Sequence, residues 1–394
     1  MKRIWKRGAF GAVTVVGGLW AALHAIPGAG PAVADGVRAV VGPGPVAWAE
    51  DVVYGVEDRI KRVVYRDAAP KTFWEAPPAA PEDPSSPAAH APAQPPIASN
   101  APVAPTFAPA AFTPPFAEVA TAGDGQWLPV VDPAAPDQPP PMYKTLVHPD
   151  PKRSFAAVAI VAVDLERLDL SLVAGTLEPA SAAVLPTDRP GLVPADRFGD
   201  LVAAFNGGFK AEHGHYGMML GGRTFLPPRA ASCTVALYKG GALRVGTWTA
   251  LKETAADMAG FRQTPPCLVE QGAVNDTLLA ADDAHGWGAS VGGATVIRRS
   301  ALGLDATGKT LLYGLGESVT AGTLARAMRA AGAENAAQLD VNQAYPRFVF
   351  YGRRQGNERP TVASALIPDI AFSRHEYVGR PEGRDFFYLT RKTL

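Results

Sequence analysis

Cysteine is scarce in this chain, since Cys233 and Cys267 are the only two among 394 residues. Their spacing matches neither a structural zinc site nor a CxxC redox motif, so the sequence offers no support for either class. In an oxidising compartment the two can form a disulfide, which would stabilise the fold by about 3–4 kcal/mol through closure of the loop between them. Two separate buried thiols are the alternative that the sequence leaves open.

Net charge is absent, and so is any internal repeat. The sequence has 37 Lys and Arg residues against 37 Asp and Glu residues. Proteins that bind nucleic acid normally carry an excess of positive charge, which neutralises the phosphate backbone. We therefore expect no nucleic-acid partner.

Long apolar runs are rare, and residues 9–26 form the one that stands out. Basic residues precede this run, Pro27 and Gly28 close it, and the small residues 32–34 have the pattern of a signal-peptide cleavage site. The run is also long enough to span a bilayer. We predict that residues 1–34 are a signal peptide or a retained membrane anchor and that the rest of the chain is exported. A buried core helix is the third alternative.

Residues 35–67 are predicted to contain a short amphipathic helix. Apolar residues recur there at helical spacing. They are Val52, Val53, Val56, Ile60, Val63 and Val64. This apolar stripe could bind a membrane surface or a partner, or it could pack against the folded part of the chain.

Proline, by contrast, is abundant, with 38 residues that are concentrated in residues 68–142. Such a Pro/Ala-rich segment has too little apolar surface to offset the entropy lost on ordering. We predict that residues 68–142 are a disordered linker, a tether between the envelope and a domain over residues 143–394.

The pattern of residues 143–394 predicts an α+β domain with a mixed β-sheet and a few helices. Short apolar runs bounded by Gly-rich turns indicate the strands. The runs are residues 156–163, 168–173, 201–205, 233–238, 242–248, 295–297, 301–304 and 310–313. One helix is predicted over residues 320–331 with Gly332 as its stop, and a short strand that ends at Asp340 follows it.

The stretch AAFNGGFKAEHGHY, residues 203–216, joins an apolar strand end to an unusual turn. Asn206 comes at the end of the strand. Gly207 and Gly208 permit backbone conformations and close approaches that a side chain would block. A ligand site and a plain tight turn are both consistent with this pattern.

His213 and His215 raise the possibility of a metal site. A two-residue spacing in a strand places both imidazoles on one face, which suits zinc. Further ligands would have to come from Asp282, Asp283 or His285. Because no standard metal spacing is present, we expect no metal and assign both histidines to the lining of a pocket.

Two more polar residues lie beside predicted strands. Arg299 enters a small-residue strand of a hairpin over residues 298–315 and needs an anionic partner, such as a phosphate or a carboxylate. Asp340 ends a buried strand, a common position for a catalytic or ligand-orienting carboxylate. A structural aspartate that caps the next turn is the alternative for Asp340.

Four blocks occur in a characteristic order. They are FNGGF (205–209), LVEQG (268–272), RRSALGLDATGKTLLYGL (298–315) and a helix followed by Leu-Asp (318–340). In this order and spacing, over residues 150–370, they resemble the phosphodiester glycosidase family. That family includes the enzyme that removes N-acetylglucosamine from its phosphodiester link.

The resemblance implies an exported hydrolase, without a cofactor, that cleaves a sugar 1-phosphodiester in envelope or extracellular glycans such as exopolysaccharide. It implies catalytic roles for Asn206, Arg299 and Asp340. Arg299 would hold the phosphate and Asn206 would hydrogen-bond the sugar or the phosphate. Asp340 would act as a general base or orient sugar hydroxyls.

We predict further residues of the site beside these three. The substrate-binding set is Gly207, Gly208, His213, His215 and Asn342. An acid–base pair needs a second carboxylate, for which the sequence offers Glu212, Asp305 and Glu317.

The chain departs from the family after Asp340. Family members usually continue with Leu-Asp-Gly-Gly-Gly-Ser, whereas residues 339–344 read Leu-Asp-Val-Asn-Gln-Ala. Glycines would let the backbone approach the substrate, and valine and glutamine obstruct that approach. A glycan-binding envelope module without catalysis, or a structural envelope protein, is therefore the alternative to a hydrolase.

Overall fold

The computed structural model describes residues 43–75, 107–278, 287 and 294–392. Three α-helices occur in these ranges: α1 (Pro43–Val64), α2 (Trp248–Leu251) and α3 (Ala321–Ala330). The first half of the described strands comprises β1 (Leu128–Val130), β2 (Met142–Val147), β3 (Ala157–Asp164), β4 (Leu168–Val173), β5 (Leu201–Asn206), β6 (Met218–Leu220), β7 (Arg223–Leu226), β8 (Cys233–Tyr238) and β9 (Leu243–Thr247). The second half comprises β10 (Met258–Thr264), β11 (Val269–Glu270), β12 (Ala273–Val274), β13 (Ile297–Leu304), β14 (Thr310–Val319), β15 (Asn335–Val341), β16 (Phe348–Tyr351), β17 (Val362–Ala365) and β18 (Phe386–Arg391).

The strands of the described ranges form three sheets. The first has eight strands in the order β1-β2-β3-β14-β13-β15-β11-β12, and the others have the orders β7-β6-β10-β8-β9 and β17-β16-β5-β18-β4. The paired strands run antiparallel in each sheet. The molecule is thus dominated by sheet with few helices, in line with the predicted α+β class, although the named strands pair antiparallel and not in the mixed arrangement that we predicted.

The eight-stranded sheet is covered on both faces, which explains why β3 is buried along its whole length. Val161 and Val163 face a core shared with the two smaller sheets, where Phe205 lies. Val158 and Ile160 face a second core under α3. Because side chains alternate along a strand, a continuous apolar run is what a doubly covered strand requires.

Helix α3 has the ends that the sequence predicts. Thr320 caps its first turn, where its hydroxyl accepts a hydrogen bond from the Thr323 N–H at 3.0 Å. Gly332 follows the last turn with a φ of +95°, a conformation that favours glycine. The helix directly precedes β15, and its packing therefore helps to set the position of Asp340.

The segment before residue 143 differs from the predicted linker. In residues 107–142, β1 pairs with β2, and Phe107 packs edge-on against Tyr143 with ring centroids 5.8 Å apart. Aromatic side chains here supply apolar surface that the Pro/Ala-rich composition lacks elsewhere, so the segment joins the domain. Residues 68–75 of the predicted linker also join the domain, with Phe73 in its core, and residues 76–106 lie outside the described residues.

Cys233 and Cys267 are joined by a disulfide with a Cα–Cα distance of 4.7 Å. The bridge connects the start of β8 to the segment that leads into β11, and it therefore ties the second sheet to the edge of the first. Both cysteines are buried, so the bridge is also part of the core.

Helix α1 contacts the domain with its polar side. The buried Asp58 accepts hydrogen bonds from the Arg153 guanidinium at 2.7 and 2.8 Å, and Lys61 Nζ donates to Ser318 Oγ at 3.4 Å. The predicted apolar stripe faces outward, with Val63, for example, 68% exposed. No described helix is both long and apolar enough to cross a bilayer. The apolar run of residues 9–26 lies outside the described part of the chain.

Candidate active site

Asn206 ends β5 and is fully buried. Its Nδ2 donates to Ser300 Oγ at 2.9 Å, and its Oδ1 accepts from the Tyr313 hydroxyl at 2.8 Å. Ser300 Oγ in turn donates to the carbonyl oxygen of Asp340 at 3.0 Å. Asn206 is therefore linked through one serine to the strand that carries Asp340.

Gly207 and Gly208 let the chain approach a buried ion pair more closely than any side chain would permit. The N–H groups of both donate to Asp385 at 2.9 Å, Gly207 to its carbonyl oxygen and Gly208 to Oδ2. Arg262 Nε donates to the same Oδ2 at 2.9 Å. A Cβ would lie 2.2 Å from Asp385 Oδ2 at Gly207, and 2.7 Å from Arg262 Cζ at Gly208. The Arg262–Asp385 pair thus requires both glycines.

Asp340 lies on β15 where the pairing with β13 changes register between Arg299 and Ala301. The Asp340 N–H donates to the Gly207 carbonyl at 3.2 Å, and its Oδ1 accepts from the Val341 N–H at 2.9 Å. The side chain is only 2% exposed. Asn206, the glycine pair and Asp340 therefore meet at one place.

Arg384 lies beside this carboxylate. Its Nη2 forms an ion pair with Asp340 Oδ2, and its guanidinium lies over the Tyr345 ring, with Cζ 4.2 Å from the centroid. The Tyr345 hydroxyl donates to the Asp385 carbonyl at 2.7 Å. Within the described part of the chain, Asp340 Oδ2 and the Nε and Nη2 of Arg384 are buried without a hydrogen-bond partner. The contact between the two residues is thus an ion pair without hydrogen-bond geometry.

Two carboxyl groups of this cluster have raised pKa values. Burial raises the pKa of Asp340 to about 6, and Arg384 offsets part of the increase. Burial, together with the negative charge of Glu376, raises the pKa of Glu382 to about 7. Tyr345 interacts electrostatically with both Asp340 and Glu382. Carboxyl groups that titrate near neutral pH are suited to general acid–base chemistry.

The segment after Asp340, residues 341–345, lies over the site. The Asn342 N–H donates to the Arg298 carbonyl at 3.2 Å, and Asn342 Oδ1 accepts from the Ala344 N–H at 2.7 Å. The segment then reaches Tyr345, whose ring covers Arg384. Valine, asparagine and glutamine at the family's glycine positions therefore build a cover that is fixed by its own hydrogen bonds.

Arg299 is fully buried. Its Nε donates to the Val319 carbonyl at 3.2 Å, its Nη2 to the Thr295 carbonyl at 2.9 Å, and its Nη1 to Gln338 Oε1 at 3.1 Å. These contacts hold the guanidinium among Val319, Thr295 and Gln338, next to the core under α3.

Arg299 and Ser300 are adjacent on β13, and adjacent side chains of a strand point to opposite faces. Ser300 contacts Asn206 and the Asp340 carbonyl. The structure therefore brings two of the three predicted catalytic residues together and directs the Arg299 side chain to the other face of the sheet. Its predicted contact with phosphate remains a prediction.

The two histidines follow β5 on a short turn. His213 Nε2 lies 3.4 Å from Glu212 Oε1, and His215 is exposed with a φ of +49°. In the described ranges, no group of three or more His, Cys, Asp or Glu side chains is arranged to hold a metal ion. The additional ligands considered from the sequence, residues 282–285, lie outside those ranges.

The three carboxylates considered as partners of Asp340 are engaged elsewhere. Glu212 is half exposed beside His213. Asp305 Oδ1 accepts the Thr310 N–H at 3.0 Å in the β13–β14 turn, and Glu317 pairs with Arg298.

Sequence reasoning missed much of this cluster, namely Arg262, Tyr345, Glu382, Arg384 and Asp385. A signal existed for three of them, because EGRDFF (382–387) places charged residues directly before an apolar strand. No such signal marks the other two, since Arg262 lies inside a strand and Tyr345 inside a loop.

Comparison with known proteins gives a family match. Residues 199–340 match the model of the phosphodiester glycosidase family. This range includes Asn206, Arg262 and Asp340 and ends before Tyr345 and Arg384. No curated protein matches the chain.

Two solved structures resemble this fold. The catalytic domain of zebrafish N-acetylglucosamine-1-phosphodiester alpha-N-acetylglucosaminidase, auto-inhibited by its pro-peptide, is 13% identical; the match covers 68% of this chain and 88% of that one, with a TM-score of 0.40. A hypothetical protein from Synechocystis is 11% identical over 65% of each chain, with a TM-score of 0.33. The family model alone confirms the motif resemblance: residues 199–340 match a phosphodiester glycosidase domain.

Proposed function

We propose that this protein is a hydrolase that cleaves a sugar 1-phosphodiester, with Asp340 as its acid–base residue. The observation that carries the proposal is the buried Asp340 carboxyl beside Gly207 and Gly208, within a domain of the phosphodiester glycosidase family. Its pKa of about 6 lets it exchange a proton near neutral pH.

The reaction breaks the bond between the sugar C1 and the phosphate oxygen. Protonated Asp340 donates its proton to the phosphate oxygen that leaves, and a water adds its hydroxyl to C1 and releases its remaining proton to solvent, so the products are a free sugar and a phosphate monoester. Asn206 and Ser300 keep the Asp340 strand in place through their hydrogen bonds.

A glycan-binding module is the second candidate, and one observation favours it. Residues 341–345 cover the site, with Tyr345 over Arg384 and hydrogen-bonded to Asp385. A substrate that reaches Asp340 must displace this cover. A surface that binds glycan without cleavage has no such requirement.

The hydrolase is tested by assaying the purified protein for sugar release from UDP-N-acetylglucosamine and from phosphodiester-linked glycans. Asp340→Asn should lower kcat by about 100-fold or more, the usual effect of losing a general acid–base group. Arg391→Lys is the matched control, because this arginine also pairs with a buried carboxylate, that of Asp132, and not with Asp340. No turnover by the wild type, with glycan binding unchanged in Asp340→Asn, would establish the binding module instead.

We also propose that the domain acts outside the cytoplasm on envelope glycans and is held at a membrane through its N-terminal part. The support is the apolar run of residues 9–26 and the outward-facing stripe of α1, beside the exposed Arg59, Arg62 and Arg66. Basic residues next to an apolar stripe suit an anionic bilayer surface.

This location is tested with protein that begins at residue 35, the form expected after signal cleavage. It should sediment with vesicles of phosphatidylglycerol and phosphatidylcholine, and Val56→Asp with Ile60→Asp should weaken binding at least tenfold. Leu177→Asp, which changes an exposed leucine elsewhere, is the control. Equal binding by all three proteins would exclude α1 as the membrane contact.

A further inference from the structure

We propose that Arg384 is the oxyanion-binding residue of this site and that a phosphate group binds it by displacing the Asp340 carboxylate. The ligand class is a phosphate monoester or diester, with two oxygens on one edge of the guanidinium. Arg384 lies outside the residues that match the family model. The proposal rests on the proposed function only for the choice of phosphate as the ligand.

The first argument is the state of the Arg384 guanidinium. Its plane is held over the Tyr345 ring, with Cζ 4.2 Å from the ring centroid. Nε and Nη2, which lie on one edge of that plane, are buried and have no hydrogen-bond partner in the described residues. These two N–H groups form the fork that takes two oxygens of a phosphate or carboxylate.

The second argument is that the chain already shows this fork in use nearby. Arg262 directs Nε and Nη2 to the two carboxylate oxygens of Asp385, at 2.9 and 3.3 Å. Asp340, by contrast, contacts Arg384 through Oδ2 and Nη2 alone, and its Oδ1 is taken by the Val341 N–H. Asp340 therefore occupies the Arg384 fork incompletely, and an anion with two free oxygens would fill it.

The third argument is access. Arg262 and Arg299 are both completely buried, whereas the Arg384 side chain retains 16% of its exposure. Arg384 is thus the one of these three arginines whose side chain touches solvent, and a ligand reaches its buried Nε and Nη2 only by displacing the Asp340 carboxylate.

Displacement of Asp340 couples anion binding to a proton. The groups that face the Asp340 carboxyl are Arg384 and Arg262, which are positive, and Asp385, which is negative. When an anion takes Arg384, Asp340 loses its counter-ion in a buried site and takes up a proton from solvent. The bound phosphate then lies beside the neutral carboxyl group of Asp340, which can donate its proton to a phosphate oxygen.

The test uses dimethyl phosphate, which keeps a single negative charge between pH 5 and 8. Any pH dependence of its binding therefore comes from groups of the protein and not from the ligand. Binding to the full-length protein is followed by calorimetry in two buffers of different ionisation heat. We expect uptake of up to one proton per anion above pH 6, and an affinity that falls by up to tenfold for each pH unit above 6. Inorganic phosphate and UDP-N-acetylglucosamine, measured in parallel, separate a free phosphate ligand from a phosphodiester ligand.

Variants assign the effect to residues. Arg384→Gln should abolish binding and Arg384→Lys should weaken it at least tenfold, since a lysine has no fork. Asp340→Asn should retain binding without proton uptake, and Arg391→Lys should behave as the wild type. Thermal unfolding checks that each variant is folded.

Two outcomes would overturn the proposal: affinity for dimethyl phosphate that is unchanged in folded Arg384→Gln, or binding without proton uptake in the wild type. Neither measurement requires turnover. Arg384-dependent binding without hydrolysis of any sugar phosphodiester would retain this inference and refute the proposed activity. Hydrolysis with an unchanged KM in Arg384→Gln would refute this inference alone.

Discussion

Arg299 and Arg384 are both enclosed in the domain, yet their guanidinium groups meet different surroundings. Arg299 donates to the carbonyls of Val319 and Thr295 and to the Gln338 side chain. Arg384 contacts one oxygen of Asp340 through Nη2, and its Nε has no hydrogen-bond partner among the described residues.

The difference separates a structural arginine from a ligand-binding one. A buried cation that is satisfied by neutral acceptors contributes to the fold, and a ligand would have to break those bonds to reach it. A cation with unfilled donors lowers stability and keeps its affinity for an incoming anion. The described contacts of Arg299 correspond to the first case and those of Arg384 to the second, while the phosphate contact predicted for Arg299 stays a prediction.

The largest expected effect is that of Arg299→Met on stability. The substitution leaves the carbonyl oxygens of Val319 and Thr295 and the side-chain oxygen of Gln338 without a donor in the core, which lowers the unfolding free energy by about 3–5 kcal/mol. Arg384→Met should cost about 1 kcal/mol, because few hydrogen bonds are lost and Asp340 can protonate. Urea denaturation at pH 7 measures both. Equal losses would remove the distinction between the two arginines.

The second effect is the pH dependence that Asp340 confers. Its pKa is about 6 in the folded protein and 3.8 in the reference state, so between these values the folded state binds more protons than the unfolded state. The unfolding free energy therefore increases as the pH falls through this window, by about 3 kcal/mol in total.

The measurement is the difference between wild type and Asp340→Asn in urea denaturation from pH 7 to 3.5. The difference cancels the other titrating groups, among them Glu382, whose pKa is also raised. A difference that stays constant with pH would show that Asp340 is not the buried titrating group.

A third test concerns the neighbouring Arg262–Asp385 pair. Gly208→Ala places a Cβ 2.7 Å from Arg262 Cζ and should lower the unfolding free energy by about 2–3 kcal/mol through overpacking. Gly221→Ala is the matched control: it has open space and a φ of +57°, and should cost about 1 kcal/mol from backbone strain alone. Equal losses would mean that the guanidinium moves aside freely.

The smallest effect is expected at an exposed pair. Lys71 Nζ lies 2.6 Å from Glu317 Oε2, but Lys71 is 45% exposed. Lys71→Ala should change the unfolding free energy by less than about 1 kcal/mol, and the change should vanish in high salt. A loss comparable to that of Arg299→Met would show that the N-terminal segment is coupled to the core through this contact.

Much of the fold follows from local sequence patterns. The helix predicted over residues 320–331 corresponds to α3, because a capping threonine and a terminal glycine mark its ends. The strand pattern is also found, although the three short runs predicted between residues 295 and 313 belong to two long strands, β13 and β14. Gly303 and Gly316 lie within these strands and pack closely against neighbouring residues. They do not end the strands, although the sequence suggested that they would.

The candidate site was only partly predictable. Asn206, the glycine pair and Asp340 were found because strand ends and Gly-Gly turns are local signals. Arg384 comes from a distant part of the chain, and only the packing of β18 beside β5 brings it next to them. Tyr345 is similarly placed by the loop that follows β15.

The sequence by itself determined the strands, helix α3, the Gly-Gly turn and the family whose model residues 199–340 match. Tertiary structure alone decided which buried arginine meets the carboxylate. The physical reason is the register change between β13 and β15: Gln338 contacts Arg299 on one face, yet Asp340, two residues later, pairs with Arg384. Alternation along a regular strand would place the side chains of Gln338 and Asp340 on the same face of the sheet. Only the observed pairing of the strands shows that the two side chains contact different arginines.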